Sequence, residues 1–151
     1  MKKQFKAIII AATAILTTSS LVNAQEKLDV TGKADFVSDY VWRGIYQNSG
    51  FSIQPTLGLS YKGITATAWG SQSITNAKDA PQEFDVSLSY NIHGFGITVT
   101  DYWWEGMHAP YGYYANKHHF EGTLSYHFGE KIPLFVSWST MFAGSDNNID
   151  G

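Results

Sequence analysis

Polar and apolar residues alternate along residues 28–43. The apolar residues share one parity: Leu28, Val30, Ala34, Phe36, Tyr40 and Trp42. The polar residues take the other parity: Asp29, Thr31, Lys33, Asp35, Asp39 and Arg43. Because successive side chains of a β-strand point to opposite faces, this pattern predicts a strand with one apolar face and one polar face.

The alternation returns in further segments of about ten residues each, so that about seven strands are predicted in all. The later strands begin at Phe51, Ile64, Glu83, Phe95, His119 and Leu134. Residues 44–50, 75–82 and 105–117 form longer connections, whereas residues 62–63, 93–94 and 129–133 form shorter ones. This rhythm predicts an all-β fold, an antiparallel up-and-down transmembrane β-barrel whose short turns lie on the periplasmic side.

Aromatic residues collect near both ends of the predicted strands. Beside the short turns lie Tyr61, Tyr90, Phe95, Tyr126 and Phe128. Beside the longer connections lie Tyr40, Trp42, Phe51, Trp103, Trp138 and Phe142. Such girdles are expected at the two interfaces of a bilayer, which makes the lipid of an outer membrane the predicted surroundings.

The first 24 residues are typical of a secretory signal. Lys2, Lys3 and Lys6 precede an apolar run at residues 7–16, and Ala24 ends a polar stretch suited to cleavage. The run is shorter than the roughly 20 residues that a spanning helix needs. We therefore expect residues 1–24 to be a signal helix and residues 25–151 to be one barrel domain of a Gram-negative outer membrane.

Charge and cysteine content exclude several classes of protein. Removing the signal takes away three lysines and no acids, so the formal net charge goes from −3 to −6, with 7 basic residues against 13 acidic ones. An acidic chain of this kind is not expected to bind nucleic acid. The sequence contains no cysteine, so neither disulfides nor an N-terminal lipid anchor are expected.

Seven strands do not close a barrel. An unpaired strand edge in hydrocarbon leaves N–H and C=O groups without partners, and bacterial single-chain barrels use even strand numbers. The expectation is therefore that this chain is the N-terminal part of a longer barrel, or that it closes by self-association, which leaves the oligomeric state open.

The run SDYVWRGIYQ, residues 38–47, resembles the opening motif of the TorF family of porins. The following segments, IQPTLGLSYKGITATAWGSQ and EFDVSLSYNIHGFGITVTDYWW, resemble the family in their spacing. The resemblance implies an outer-membrane β-barrel with a transport role. This chain is shorter than the family needs to close.

The polar parity carries charged residues that are predicted to line a passage: Lys33, Asp35, Asp39, Arg43, Glu83, Asp85 and Glu121. Charges of both signs would orient polar solutes in a pore, and their acidic excess predicts mild preference for cations. The alternative is that these charges pair with one another and fill a narrow lumen.

Two hexapeptides resemble each other at the predicted barrel rim, either because they share a role there or by chance in a chain rich in tryptophan and tyrosine. Asp39, Tyr40, Trp42, Arg43 and Gly44 belong to the first, whereas Asp101, Tyr102 and Trp104 belong to the second. Strict alternation would place the Asp101 side chain in lipid. A β-bulge near Thr100 is therefore predicted, which would turn the aspartate inward and the following tyrosine and tryptophan outward.

Metal and enzyme chemistry are weakly indicated. His118, His119, His127 and Glu121 resemble a ligand set, but His119 and His127 would lie about 26 Å apart on one strand. Ser125, His127 and Glu121 share the inward parity, which does not suit a lipid hydrolase. We expect no cofactor, no metal and no enzyme activity. The prediction is a porin-like barrel for small polar solutes, and the alternative is a non-conducting structural or adhesive barrel.

Overall fold

The computed structural model describes residues 12–14, 27–75, 82–104, 111 and 118–144. These residues form an eight-stranded antiparallel half-barrel in which each strand pairs with the next one in the chain. The strands are β1 Ala12–Ala14, β2 Asp29–Trp42, β3 Ile45–Tyr61, β4 Ile64–Ser73, β5 Glu83–Ile92, β6 Phe95–Trp103, β7 His118–His127 and β8 Phe135–Gly144. The prediction of an antiparallel all-β fold is confirmed, and β2 to β8 correspond to the predicted strands.

Strand β1 lies inside the segment predicted to be a signal helix. Its three residues are extended and pair with β2, with Ala12 opposite Phe36 and Ala14 opposite Ala34. The rest of residues 1–24 lies outside the described residues, as do most of the 105–117 connection and residues 145–151.

The first connection differs from the predicted seven-residue loop. β2 and β3 are joined by a two-residue turn, Arg43-Gly44, with φ values of 49° and 81°. Positive φ at both positions matches the twist of a tight hairpin, and glycine adopts it at little cost. The residues predicted to be loop therefore extend β3 at its N-terminal end, as the longest strand of the sheet.

Two tight turns lie at the opposite end of the sheet, as predicted. Lys62-Gly63 joins β3 to β4, and His93-Gly94 joins β5 to β6. The glycine carbonyls continue the strand ladder, because Gly63 accepts the Asn91 N–H and Gly94 accepts the His127 N–H, each at 2.8 Å.

The polar face of the sheet is concave. Trp42 on β2 contacts Tyr102 on β6, although four strand spacings of about 4.8 Å separate these strands along the sheet. Side chains can meet across that span only if the sheet curls toward the face they share.

The two faces differ in composition, and the sheet has no apolar core. Tyr102 is the one buried hydrophobic residue in the described part of the chain, whereas the buried polar residues include Ser52, Gln54, Ser71, Glu83 and Glu121. Large apolar side chains on the convex face are exposed, Leu88 by 59% and Phe95 by 64%. No described helix has the length and apolar character needed to cross a membrane.

Candidate functional site

The alternation of β2 changes phase near its end. The pairing with β3 is irregular between Val37 and Asp39 and again between Tyr40 and Val41. Gly50, with φ of 92°, lies opposite the first irregularity. Irregular pairing of this kind re-aims the side chains beyond it.

Tyr40 and Trp42 therefore lie on the concave face, which corrects the prediction that they face lipid. The Tyr40 ring is 5.6 Å from that of Trp69, and Trp42 contacts Tyr102. Asp39 also departs from its predicted place along the passage. It is exposed on the convex side, where it accepts hydrogen bonds from the Tyr46 hydroxyl and the Gly50 N–H.

The second rim motif lacks the predicted bulge. β6 pairs with β5 and β7 without a register shift through Thr100, so strict alternation holds to its end. Asp101 consequently lies on the convex face, and Tyr102 and Trp104 lie on the concave face, the reverse of the prediction. The two motifs are still placed alike, because the change of phase occurs in β2 instead of β6.

Five aromatic residues meet on the concave face near the Arg43 turn; we call them the aromatic cluster: Tyr40, Trp42, Trp69, Tyr102 and Trp104. Tyr102 stacks on Trp104 with ring centroids 5.3 Å apart, and Trp42 meets both rings edge-on at 6.0 and 6.2 Å. Edge-to-face and offset stacking are the favourable arrangements for such rings, so these three rings pack as a unit, and Tyr40 and Trp69 form a second contact beside them.

Two carboxyl groups adjoin the aromatic cluster. Glu83 Oε1 accepts a 2.7 Å hydrogen bond from Trp104 Nε1, and the Tyr40 hydroxyl lies against the same carboxyl group. Asp85, two residues along β5, has its Oδ1 atom buried without a hydrogen-bond partner. Among the described residues, no Lys or Arg side chain lies within 4.0 Å of either carboxyl group.

Arg43 and Glu121 form a bridge across the concave face. Arg43 Nη1 and Nη2 each donate to one Glu121 carboxylate oxygen at 2.7 Å, and Tyr102 and Thr123 also donate to Glu121. Glu121 is only 3% exposed, and the hydrogen bonds to it raise the pKa of Arg43 above its usual value. The Arg43 guanidinium also lies over the Trp42 ring, 4.5 Å from its centroid.

A cavity of about 220 Å³ opens beside the aromatic cluster. Tyr40, Trp42, Gln47 and Trp104 line it. Its walls are therefore mainly aromatic faces and edges, with the Glu83 carboxyl group one hydrogen bond behind Trp104.

Away from the cluster, hydroxyl groups cover the concave face. Cross-strand hydroxyl pairs hydrogen-bond at 2.8–2.9 Å: Ser60 with Thr65, Ser89 with Thr98, and Thr123 with Ser139. Lys33 and Asp35 lie on this face as predicted, joined by a 2.8 Å ion pair. Between the aromatic cluster and the short turns, this face therefore carries mainly short polar side chains.

A second polar group lies on the convex face, at the end of β6 and the start of β7. His118 Nδ1 is 2.6 Å from Asp101 Oδ1, and His118 Nε2 is 2.6 Å from the Tyr111 carbonyl oxygen. A carbonyl oxygen can only accept, so Nε2 donates to Tyr111, and Nδ1 contacts the Asp101 carboxyl group. The carboxyl group on the apolar face therefore has a polar partner.

All the predicted girdle residues but Trp138 lie on the convex face near the strand ends. Phe95 contacts Tyr126 at 4.5 Å, and Tyr126 contacts Phe128 at 4.8 Å. Tyr61 and Tyr90 are exposed there, and Trp103 follows the same parity. Trp138 is exposed on the same face but lies within β8, opposite Leu124, and not beside a connection as predicted.

The weaker alternatives do not assemble a site. Glu121 is occupied by Arg43, and His127 Nδ1 accepts the Gly129 N–H, so Ser125, His127 and Glu121 form no hydrogen-bonded triad. The described residues contain no group of three or more His, Asp or Glu side chains placed to hold a metal ion.

Sequence reasoning missed the partners of the convex carboxylates, Tyr46 for Asp39 and His118 for Asp101. The similarity of the two rim motifs was the sequence signal that both would be placed alike. The change of phase in β2 is what gives them the same placement. Comparisons with family models, curated proteins and solved structures find no match to this chain. The functional assignment therefore rests on the geometry of the sheet and its concave face.

Proposed function

We propose that this protein is a porin-like β-barrel of the bacterial outer membrane that passes small polar solutes with mild preference for cations. The observation that carries the proposal is the separation of the faces, with exposed apolar side chains outside and hydroxyl groups inside. Soluble monomers rarely expose contiguous apolar patches beyond a few hundred Å². Alternating apolar-out, polar-in strands are the pattern of outer-membrane barrels.

The cation preference follows from the charges on the concave side. Asp35, Glu83, Asp85 and Glu121 outnumber Lys33 and Arg43, and the pairs Lys33–Asp35 and Arg43–Glu121 leave the two β5 carboxyl groups without basic partners among the described residues. A passage with net negative walls lowers the energy of cations relative to anions.

A non-conducting barrel is the second candidate, and a specific observation favours it. The aromatic cluster and the Arg43–Glu121 bridge reach across the concave face and fill part of its width. If the barrel closes tightly around these side chains, the passage is blocked.

Planar-bilayer recording separates the two candidates. The full-length protein, purified from outer membranes, is expected to give step-like conductance and a reversal potential of cation-selective sign in a KCl gradient. Correctly inserted protein that gives no channel events supports the structural barrel, and an anion-selective potential contradicts the assigned charge preference.

A further inference from the structure

The cavity beside the aromatic cluster has the chemistry of a binding site. Indole and phenol rings present negative π-faces, and such faces attract cations, tryptophan most strongly. Two tryptophans and one tyrosine line the cavity together with the Gln47 amide. Hydrocarbon-bearing cations are the ligands that gain most from walls of this kind.

One cation of the chain itself, the Arg43 guanidinium, already contacts an aromatic ring that lines this cavity. The Arg43 guanidinium lies 4.5 Å from the centroid of Trp42 while its nitrogens bind Glu121. The structure thus pairs an aromatic face and a carboxylate around a delocalised cation. Trp104, the neighbour of Trp42 in the cluster, also combines an indole ring with a carboxyl group: it donates a 2.7 Å hydrogen bond to Glu83, and its ring contacts Tyr102 and His119.

The carboxyl groups on that side have no basic partner among the described residues. Glu83 is buried, and Asp85 Oδ1 is buried and lacks a hydrogen-bond partner. No described Lys or Arg side chain approaches either group within 4.0 Å. The two carboxyl groups hydrogen-bond to each other and so share a proton, which leaves one negative charge that a cation bound beside Trp104 would stabilise.

We propose that the cavity lined by Tyr40, Trp42, Gln47 and Trp104 binds a small organic cation, of the quaternary or tertiary ammonium class. Its volume of about 220 Å³ is smaller than pockets for drug-sized ligands, which are about 300–1,000 Å³, so the ligand has few heavy atoms. Weak binding suits a site along a passage, because a transported solute must also leave. The inference deepens the proposed porin function by naming the solute class.

Calorimetric titration tests the site with two probes of nearly equal shape. Choline and its carbon isostere 3,3-dimethylbutan-1-ol differ by a positive nitrogen in place of a quaternary carbon. The full-length protein in detergent micelles is expected to bind choline at least about tenfold more tightly than the neutral alcohol. Equal binding of the two probes, or binding of neither, overturns the proposal.

Variants locate the binding. Glu83→Gln keeps an acceptor for Trp104 but removes the charge, and it is expected to weaken choline about tenfold without changing the alcohol. Glu130→Gln, in the exposed turn before β8, is the matched control and should leave both affinities unchanged. A Glu83→Gln protein that binds choline normally contradicts the assignment.

Trp42→Phe is the second variant, which keeps the site testable if Glu83→Gln does not fold. It retains an aromatic ring but lowers the cation attraction, so choline affinity should fall by about threefold or more. Calorimetry needs no ion flow: conductance without choline discrimination overturns only this inference, and choline binding without conductance overturns only the porin proposal.

Discussion

Arg43 and Glu121 join a hairpin turn to a distant strand, and their geometry differs from that of the other concave ion pair. Lys33 and Asp35 share one hydrogen bond near the surface, whereas Arg43 and Glu121 share two in a site where the carboxylate is buried. Charged hydrogen bonds are stronger where water is excluded.

A double-mutant cycle should therefore separate the two pairs. Arg43→Met with Glu121→Gln is expected to give a coupling energy of about 1.5–3 kcal/mol, and Lys33→Met with Asp35→Asn about 0.2–1 kcal/mol. Urea unfolding in micelles, followed by tryptophan fluorescence, measures both. Equal coupling energies would mean that the bridge is no stronger than a surface pair.

Asp101 and His118 make a second prediction at the scale of single residues. His118 is fully buried and contacts oxygen atoms at both ring nitrogens, so removing the Asp101 carboxyl group takes away the partner of the buried Nδ1 atom. Asp101→Leu is expected to lower the free energy of unfolding by about 3–5 kcal/mol.

The double variant Asp101→Leu/His118→Leu should lose less, about 1–3 kcal/mol, because it removes both members of the pair and takes away only the contacts that they make to the Tyr111 carbonyl and hydroxyl groups. Unfolding in urea compares the two proteins. A double variant less stable than the single one would show that the pair is not the reason for the loss.

At the scale of the element, the tight turns depend on glycine for two separable reasons. Gly94 has φ of 86°, and a Cβ built there would lie 2.6 Å from the His127 carbonyl oxygen. Gly129 has a similar φ of 89° but nothing within 4 Å of its Cβ position. Replacing either glycine by alanine therefore carries the same cost of positive φ, but only the replacement of Gly94 also creates a steric clash.

Gly94→Ala is expected to destabilise the folded sheet more than Gly129→Ala, by an additional amount of about 1–3 kcal/mol from overpacking against backbone. The difference in unfolding midpoint between the two variants measures the clash alone. Equal midpoints would indicate that the β5–β6 turn shifts away from β7 at no cost.

The strands could be predicted from alternation because residues 83–92 and 95–100 carry no exception to it. The change of phase in β2 could not, since it depends on pairing with β3 and on Gly50. The predicted bulge near Thr100 was wrong for a similar reason: a carboxyl group on the apolar face is tolerable when His118, seventeen residues away in the chain, contacts it. Contacts between strands decided both cases.

At the scale of the molecule, the sequence predicted the separation of the two faces but not the filling of the concave one. Tyr40, Trp42 and Trp104 look like members of an outer girdle when each strand is considered alone. Only the curvature of the sheet brings β2 over β6 and gathers them inside. The candidate site is thus a product of the curvature of the sheet, whereas the serine and threonine side chains beside it could be predicted from the polar parity.

Ser87 and Leu88 offer the sharpest test of where the molecule resides, because they are neighbours on β5 with opposite faces. Leu88 is exposed on the convex face, and Ser87 lies between Thr67 and Thr100 on the concave face. In water, arginine at an exposed site such as Leu88 would change stability little. In a bilayer, Leu88→Arg places the charge in hydrocarbon and should raise the free energy of the folded protein by about 2–4 kcal/mol. The variant should therefore fail to fold into liposomes, which is measured as the loss of the heat-modifiable band on a gel.

Ser87→Arg should fold normally, since its small hydroxyl neighbours leave room, and should shift the reversal potential toward anions. If both variants fold equally well into liposomes, the convex face does not contact lipid.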